Sequence, residues 1–168
     1  RVKGIVMSDR EVVVLSGVRT AIADFGGSLK DVPPTELAGQ VVAEAVKRSG
    51  LEGADIGHCV IGSVTHSDRR DMYMSRVAAL KGGLPIETPA LTVNRLCGSG
   101  LQAVISAAQM ILLGDCDAAV AGGAESMSRV PYWLPKARFG ARMGDATMED
   151  PMMGALTCPI GDTHMGIT

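Results

Sequence analysis

The chain has 168 residues, with 16 Lys and Arg against 18 Asp and Glu and a formal net charge of −2. Apolar residues make up 46%, which fits a globular chain with a sizeable core and excludes a disordered one. A balanced charge, with Phe25, Tyr73, Tyr132, Trp133 and Phe139 as the aromatic side chains, excludes a nucleic-acid surface of clustered cations and stacking rings.

Residues 1–10 mix charge and apolar character without the continuous apolar stretch of a signal peptide, and read as a tag or disordered leader. Val12-Val13-Val14-Leu15 is a largely β-branched apolar run, expected as a strand covered on both faces. Gly17, Gly26-Gly27 and Pro33-Pro34 mark a loop. Thr35 is the expected cap of a helix carrying Leu37, Val41, Ala45 and Val46 at helical spacing, with Gly50 as its stop. His58 to Val64 (HCVIGSV) is a second buried strand, followed by a helix over 70–82 with Tyr73, Val77 and Leu80 on one face. Ala90 to Asn94 is the third strand. From Gly98 to Leu113 the apolar positions Leu101, Val104, Ile105, Ala108, Ile111 and Leu112 recur as one helical stripe. Asp117 to Ala124 is the fourth strand, with glycines that let another element pack against its end.

Strands alternating with helices predict an α/β layered fold, βαβαβαβ with a largely parallel sheet, over 11–125. Residues 126–168 are Met- and Pro-rich without a clear period and read as a second, inserted region. The longest nearly apolar run, 103–113, is interrupted by Ser106 and Gln109 and falls short of the roughly 20 residues a bilayer needs, so no membrane partner is expected. Cys59, Cys97, Cys116 and Cys158 form no CxxC pair, so no metal site is expected. With no export signal, a cytoplasmic setting that keeps thiols reduced follows.

Chemistry concentrates in TVNRLCGSGLQA (92–103), where a strand ends, the chain turns and Cys97 sits just ahead of the long helix. The first amides of a helix lack intrahelical partners and its dipole places partial positive charge there, so a thiolate at that point is stabilised. Gly98 and Gly100 remove side chains beside the sulfur, and the nearby amides are candidates for an oxyanion hole. The bland alternative is a small buried core cysteine, the usual fate of a free thiol. GSGLQA (98–103) also reads as G-x-G-x-x-A, a dinucleotide-binding turn, although it follows the third strand and no acid clearly ends a strand about 20 residues later.

NRLCGSGLQ (94–102), followed by GGAESMSRVP (122–131), resembles the thiolase family, which makes or cleaves β-ketoacyl-CoA thioesters. VNRLCGSGLQAVISAAQMI (93–111) is similar to that family's acyl-enzyme signature, SGVRTAIADFGGSLKDVPPTEL (16–37) to its N-terminus, and HMGIT (164–168) to the start of a later family segment. The resemblance implies a thiolase-like N-terminal domain over 11–125, lacking its last strand, in a mixed, largely parallel sheet, with the beginning of a loop domain over 126–168. It implies an acyltransferase of the acetyl-CoA acetyltransferase type with Cys97 as the acyl-thioester nucleophile, and Asn94, Gly98 and Ser99 shaping its loop. Leu156, His164 and Met165 fall where the family lines its CoA and acyl channel, with core packing as the bland reading of Leu156 and Met165 and a hydrogen-bonded surface or core histidine as that of His164.

Residues 127–148, carrying Arg129, Arg138 and Arg142, resemble the family's tetramerisation loop, and the edge strand at 90–94 resembles its dimer edge. A homo-oligomer, dimer or tetramer, is therefore implied for the complete protein. Coenzyme A and acyl-CoA enter as substrates, with no tightly bound cofactor. The family's further acid/base residues, a GHP-type His and a CxG-type Cys, have no counterpart in these 168 residues, and His164 belongs to a different segment. The chain alone is accordingly expected to be inactive. The alternative is a non-catalytic thiolase-like module that binds acyl-CoA or lipid. His58 and His66 have no motif support, and Cys59, Cys116 and Cys158 read as structural.

Overall fold

A computed structural model describes residues 10–167. Except for Arg10, the expected leader lies outside the described residues. Arg10 pairs its guanidinium with Asp117 Oδ1 at 2.6 Å. The core element is a parallel three-stranded sheet of β1 (His58–Gly62), β2 (Ala90–Val93) and β3 (Ala119–Gly123), in the order β2-β1-β3. Cys59 pairs with Ala90 on one side and Val120 on the other. Helices α1 (Pro34–Ser49) and α2 (Met74–Lys81) cover one face, and α3 (Ser99–Leu113) the other. The central strand alternates between the two layers. Cys59 and Ile61 pack with Ala38, Val42, Met74 and Ala78, whereas Val60 packs with Ala103 and Ala107. A strand buried on both faces needs the near-continuous apolar run that HCVIGSV supplies.

Five expectations are corrected. Residues 12–15 form no strand: they join no ladder, and Val14 is 85% exposed. The following residues, 16–25, line one side of an open cleft of about 640 Å³ whose other side includes Val120 and Gly122 to Ser126. Helix α1 starts one residue before Thr35. Pro34 takes the first helical position, where its missing N–H is no loss, and Thr35 is buried in the first turn. Gly50 ends α1 as expected, at a left-handed φ of 78°.

Helix α2 faces the core with Met74, Ser75, Ala78 and Ala79, leaving Tyr73 and Leu80 exposed. Small residues decide this choice. A Cβ on Gly82 would lie 2.3 Å from Val42 Cγ1, so bulkier packing between α1 and α2 has no room. Ser75 fixes the same face, accepting from the Ile61 amide at 2.9 Å and donating to the Leu91 carbonyl at 2.6 Å. Helix α3 likewise turns Ser99, Ala103 and Ala107 to the sheet, while its apolar stripe faces outward and Leu101 is 68% exposed. Leu96–Leu113 is long and apolar enough, by length and composition, for a membrane span, in contrast to the reading from residues 103–113. In the structure, Ala103 and Ala107 pack that stretch on the sheet.

The region after β3 is built from short pieces. Trp133 and Glu149 exchange backbone hydrogen bonds at 2.9 and 2.8 Å. Asp150 caps the six-residue helix α4 (Pro151–Leu156), accepting from the Met152 amide at 2.9 Å. The antiparallel pair β4 (Thr157–Cys158) and β5 (Thr163–His164) follows.

Candidate functional site

The three parallel strands end at one edge of the sheet, the usual location of sites in α/β folds. There β2 runs into the turn 94–98 and then into α3. Asn94 Oδ1 accepts from the Leu96 amide at 3.0 Å, a local side-chain turn. Ser99 Oγ accepts from the Arg95 amide at 2.9 Å and donates to the Leu96 carbonyl at 2.6 Å. These bonds hold Leu96 at φ 48°, a left-handed conformation that costs a non-glycine residue about 1–2 kcal/mol. The Arg95 guanidinium donates to Gln102 Oε1, and Gln102 Nε2 to Ser106 Oγ at 3.0 Å, tying the turn to the first turns of α3. Cys97 follows the strained residue directly, and it is exposed rather than part of the core.

Two glycines seat the helix start on the sheet. A Cβ on Gly62, the last residue of β1, would lie 2.5 Å from the Ser99 carbonyl carbon. One on Gly123 would lie 3.3 Å from Gly100 Cα. Gly98 differs, because an added Cβ there would meet nothing closer than Arg95 O at 3.4 Å. The Gly98 and Ser99 amides donate to the Arg95 and Leu96 carbonyls at 3.0 and 2.9 Å. They are engaged inside the turn, so they cradle neither a pyrophosphate nor a thioester oxygen in this conformation. The dinucleotide reading therefore loses these two amides as ligands.

Leu156, His164 and Met165 form a second group. Thr157 pairs with His164, and the Met165 amide donates to the Leu156 carbonyl at 2.9 Å. His164 Nδ1 accepts from the Gly166 amide at 3.0 Å. The bonds described for this hairpin are local to it. Of the three arginines, Arg129 is half-buried and donates to the Asp31 carbonyl at 3.1 Å, while Arg138 and Arg142 are exposed.

Glu125 was given no role by the motif reading. Its Oε2 accepts from the Val64 amide at 2.8 Å, and its Oε1 from the Thr65 amide at 3.1 Å and Thr65 Oγ1 at 2.7 Å. Its position two residues past β3 gave no local sign of these partners, which lie 60 and 61 positions away.

The thiols divide sharply. Burial pushes Cys59 up to about 12. Burial, then Asp115 and Asp117, raises Cys116. Cys158 is exposed, and backbone N–H groups of Gly161 and then Ile160 lower its pKa, so its thiolate forms below the pH at which an ordinary thiol ionises. Brief alkylation of the native protein with iodoacetamide is therefore expected to label Cys97 and Cys158, and to leave Cys59 and Cys116 unmodified until denaturant is added. The labelling of Cys158 should rise with pH from below the range of a free thiol. Peptide mapping of modified Cys59 in the native state would contradict the burial.

An α/β sheet with an exposed thiol on a strained strand-to-helix turn defines a class of cysteine-bearing α/β domains. Residues 12–168 match the thiolase N-terminal domain family, and the chain belongs to the thiolase family. It is 64% identical over 159 residues to beta-ketothiolase BktB of Cupriavidus necator, covering 95% of this chain and 40% of that protein. It is 43% identical over 159 residues to an acetyl-CoA acetyltransferase of the same organism, covering 94% and 40%. The crystal structure of Bacillus anthracis acetyl-CoA acetyltransferase superposes with a TM-score of 0.87 at 40% identity, covering 95% of this chain and 40% of that one. Human mitochondrial 3-ketoacyl-CoA thiolase in complex with CoA does so with 0.82 at 34% identity, covering 86% and 37%. The chain thus spans about 40% of the length of the curated relatives it matches.

Proposed function

We propose that this chain is the nucleophile-bearing part of a cytoplasmic thiolase, in which Cys97 accepts an acyl group from acyl-CoA. The observation that carries the reading is the exposed Cys97 on a turn strained at Leu96 and pinned by Asn94 and Ser99. Gly98 adds to it. An added Cβ there would meet Arg95 at no less than 3.4 Å, and in this reading its absence also leaves the approach to the sulfur open. The thiolate Sγ attacks the thioester carbonyl carbon, the C–S bond to CoA breaks, and CoA leaves as its thiolate. A second acyl-CoA, deprotonated at Cα, then attacks the acyl-cysteine carbonyl, forming a C–C bond and releasing Cys97. Thiolysis runs these steps in reverse.

In this reading the groups that move the protons lie in the remaining length that the relatives possess, and CoA is a substrate rather than a resident cofactor. Residues 11–125 form the nucleophile domain, and 126–168 begin the loop domain, with Leu156, His164 and Met165 towards the CoA and acyl channel. The complete protein is a homo-oligomer joined through the free edge of β2, where an unpaired strand invites a symmetry mate. Incubating the complete protein with acetyl-CoA and measuring the mass of the Cys97 peptide tests the reading. One acetyl group on Cys97 is expected. Its absence, with acyl-CoA still bound, would replace the enzyme by a non-catalytic acyl-CoA-binding module.

A further inference from the structure

We propose that Glu125 is a positioning residue for the Cys97 turn, acting through the strand ends on which that turn is seated; this rests on Cys97 being the nucleophile. Glu125 lies just past β3, yet its carboxylate reaches across the sheet edge to residues 64 and 65, which follow β1. It takes three hydrogen bonds, two from backbone amides and one from the Thr65 hydroxyl, and a charged acceptor makes each stronger than a neutral one. Two backbone bonds continue the linkage. The Ala124 amide donates to the Gly62 carbonyl, and the Ser63 amide to the Val93 carbonyl, both at 3.0 Å. The C-terminal ends of all three strands are thereby locked in register at the place where β2 enters the turn.

The locked ends are also the surface that receives α3. Gly62 and Gly123 leave space only for backbone, and the first residues of α3, Ser99 and Gly100, occupy it. Ser99 in turn holds Arg95 and Leu96, the two residues before Cys97. A relaxed Glu125 fork lets the β1 end drift, and Ser99 drifts with it because no side chain lies between them to absorb the motion. Glu125 touches neither Cys97 nor its turn, so its role is one of placement.

In the complete protein, the test compares wild type, Glu125→Gln, Glu125→Ala and Thr65→Val by site-resolved amide exchange and by the initial rate of Cys97 acetylation. Glu125→Gln keeps the shape and loses the charge and one acceptor. It is expected to raise exchange at Gly98 and Ser99 about tenfold and to slow acetylation by a similar factor, with the α1 amides of Val42 and Val46 unchanged. Thr65→Val removes one bond and is expected to move both readouts about two- to threefold in the same direction. Faster exchange confined to Val64 and Thr65, with Gly98, Ser99 and acetylation at wild-type rates, overturns the proposal. So does an increase that includes Val42 and Val46, which marks general loosening. If Glu125→Ala does not fold, the other two variants decide. If wild-type Cys97 takes no acetyl group, the thiolase reading fails separately, and exchange at Gly98 and Ser99 still decides the coupling.

Discussion

Replacing Cys97 by Ser in the complete thiolase is expected to lower turnover by about 10³-fold or more, the scale on which removing a covalent nucleophile acts. The reason is chemical, because the hydroxyl that replaces Sγ is not ionised at neutral pH and no base within the described turn faces it. The fold should be untouched. The bonds that shape the turn run through Asn94, Arg95 and Ser99, none through the cysteine side chain, and Cys97 is exposed. Stability is therefore expected to stay within about 0.5 kcal/mol of wild type, as for other surface substitutions. Thiolysis kinetics, the mass of any acyl-enzyme and a denaturant titration read these quantities. Turnover within tenfold of wild type would remove Cys97 from the reaction, and a large stability loss would show that the sulfur packs rather than reacts.

The three strands and three long helices were legible because their signals are local: continuous apolar runs, helical spacing and glycine stops. What failed was what a second element decides. Residues 12–15 have strand-forming side chains, but a strand exists only against a ladder partner, and among the described residues no strand pairs with them. The apolar stripe of α3 shows that the helix can be covered. It does not show that Ala103 and Ala107 are what meets the sheet. Tyr73 and Leu80 mislead in the same way, since glycine contacts between α1 and α2 favour small residues.

At the site, Asn94 and Ser99, which hold the turn, stand in the same continuous stretch as Cys97, while the Arg95–Gln102 pair that also ties it went unread. Glu125 could not be read from that stretch. Its partners lie 60 and 61 positions away, and only the parallel register of β1 and β3 brings them together.

That register also decides the second large effect, a substitution at the end of β1. Gly62→Ala is expected to destabilise the chain by about 2–3 kcal/mol, the upper part of the range for an overpacked core. The added Cβ would sit 2.5 and 2.6 Å from the Ser99 carbonyl carbon and oxygen, and 2.8 Å from the Gly100 amide nitrogen. All three are backbone atoms, so no rotamer change relieves the clash. The start of α3 must instead move off the sheet, or β1 must leave its two ladders. Gly98→Ala makes the sharper comparison, because it alters the same turn with no contact under 3.4 Å. It is expected to cost only about 0.5–1 kcal/mol, the difference between Gly and Ala at a helix N-cap. Guanidinium unfolding of both variants separates the two cases. Equal midpoints would mean that α3 slides freely on the sheet. In that event the strained turn at Leu96 owes its shape to Asn94 and Ser99 alone, without the platform of Gly62 and Gly123.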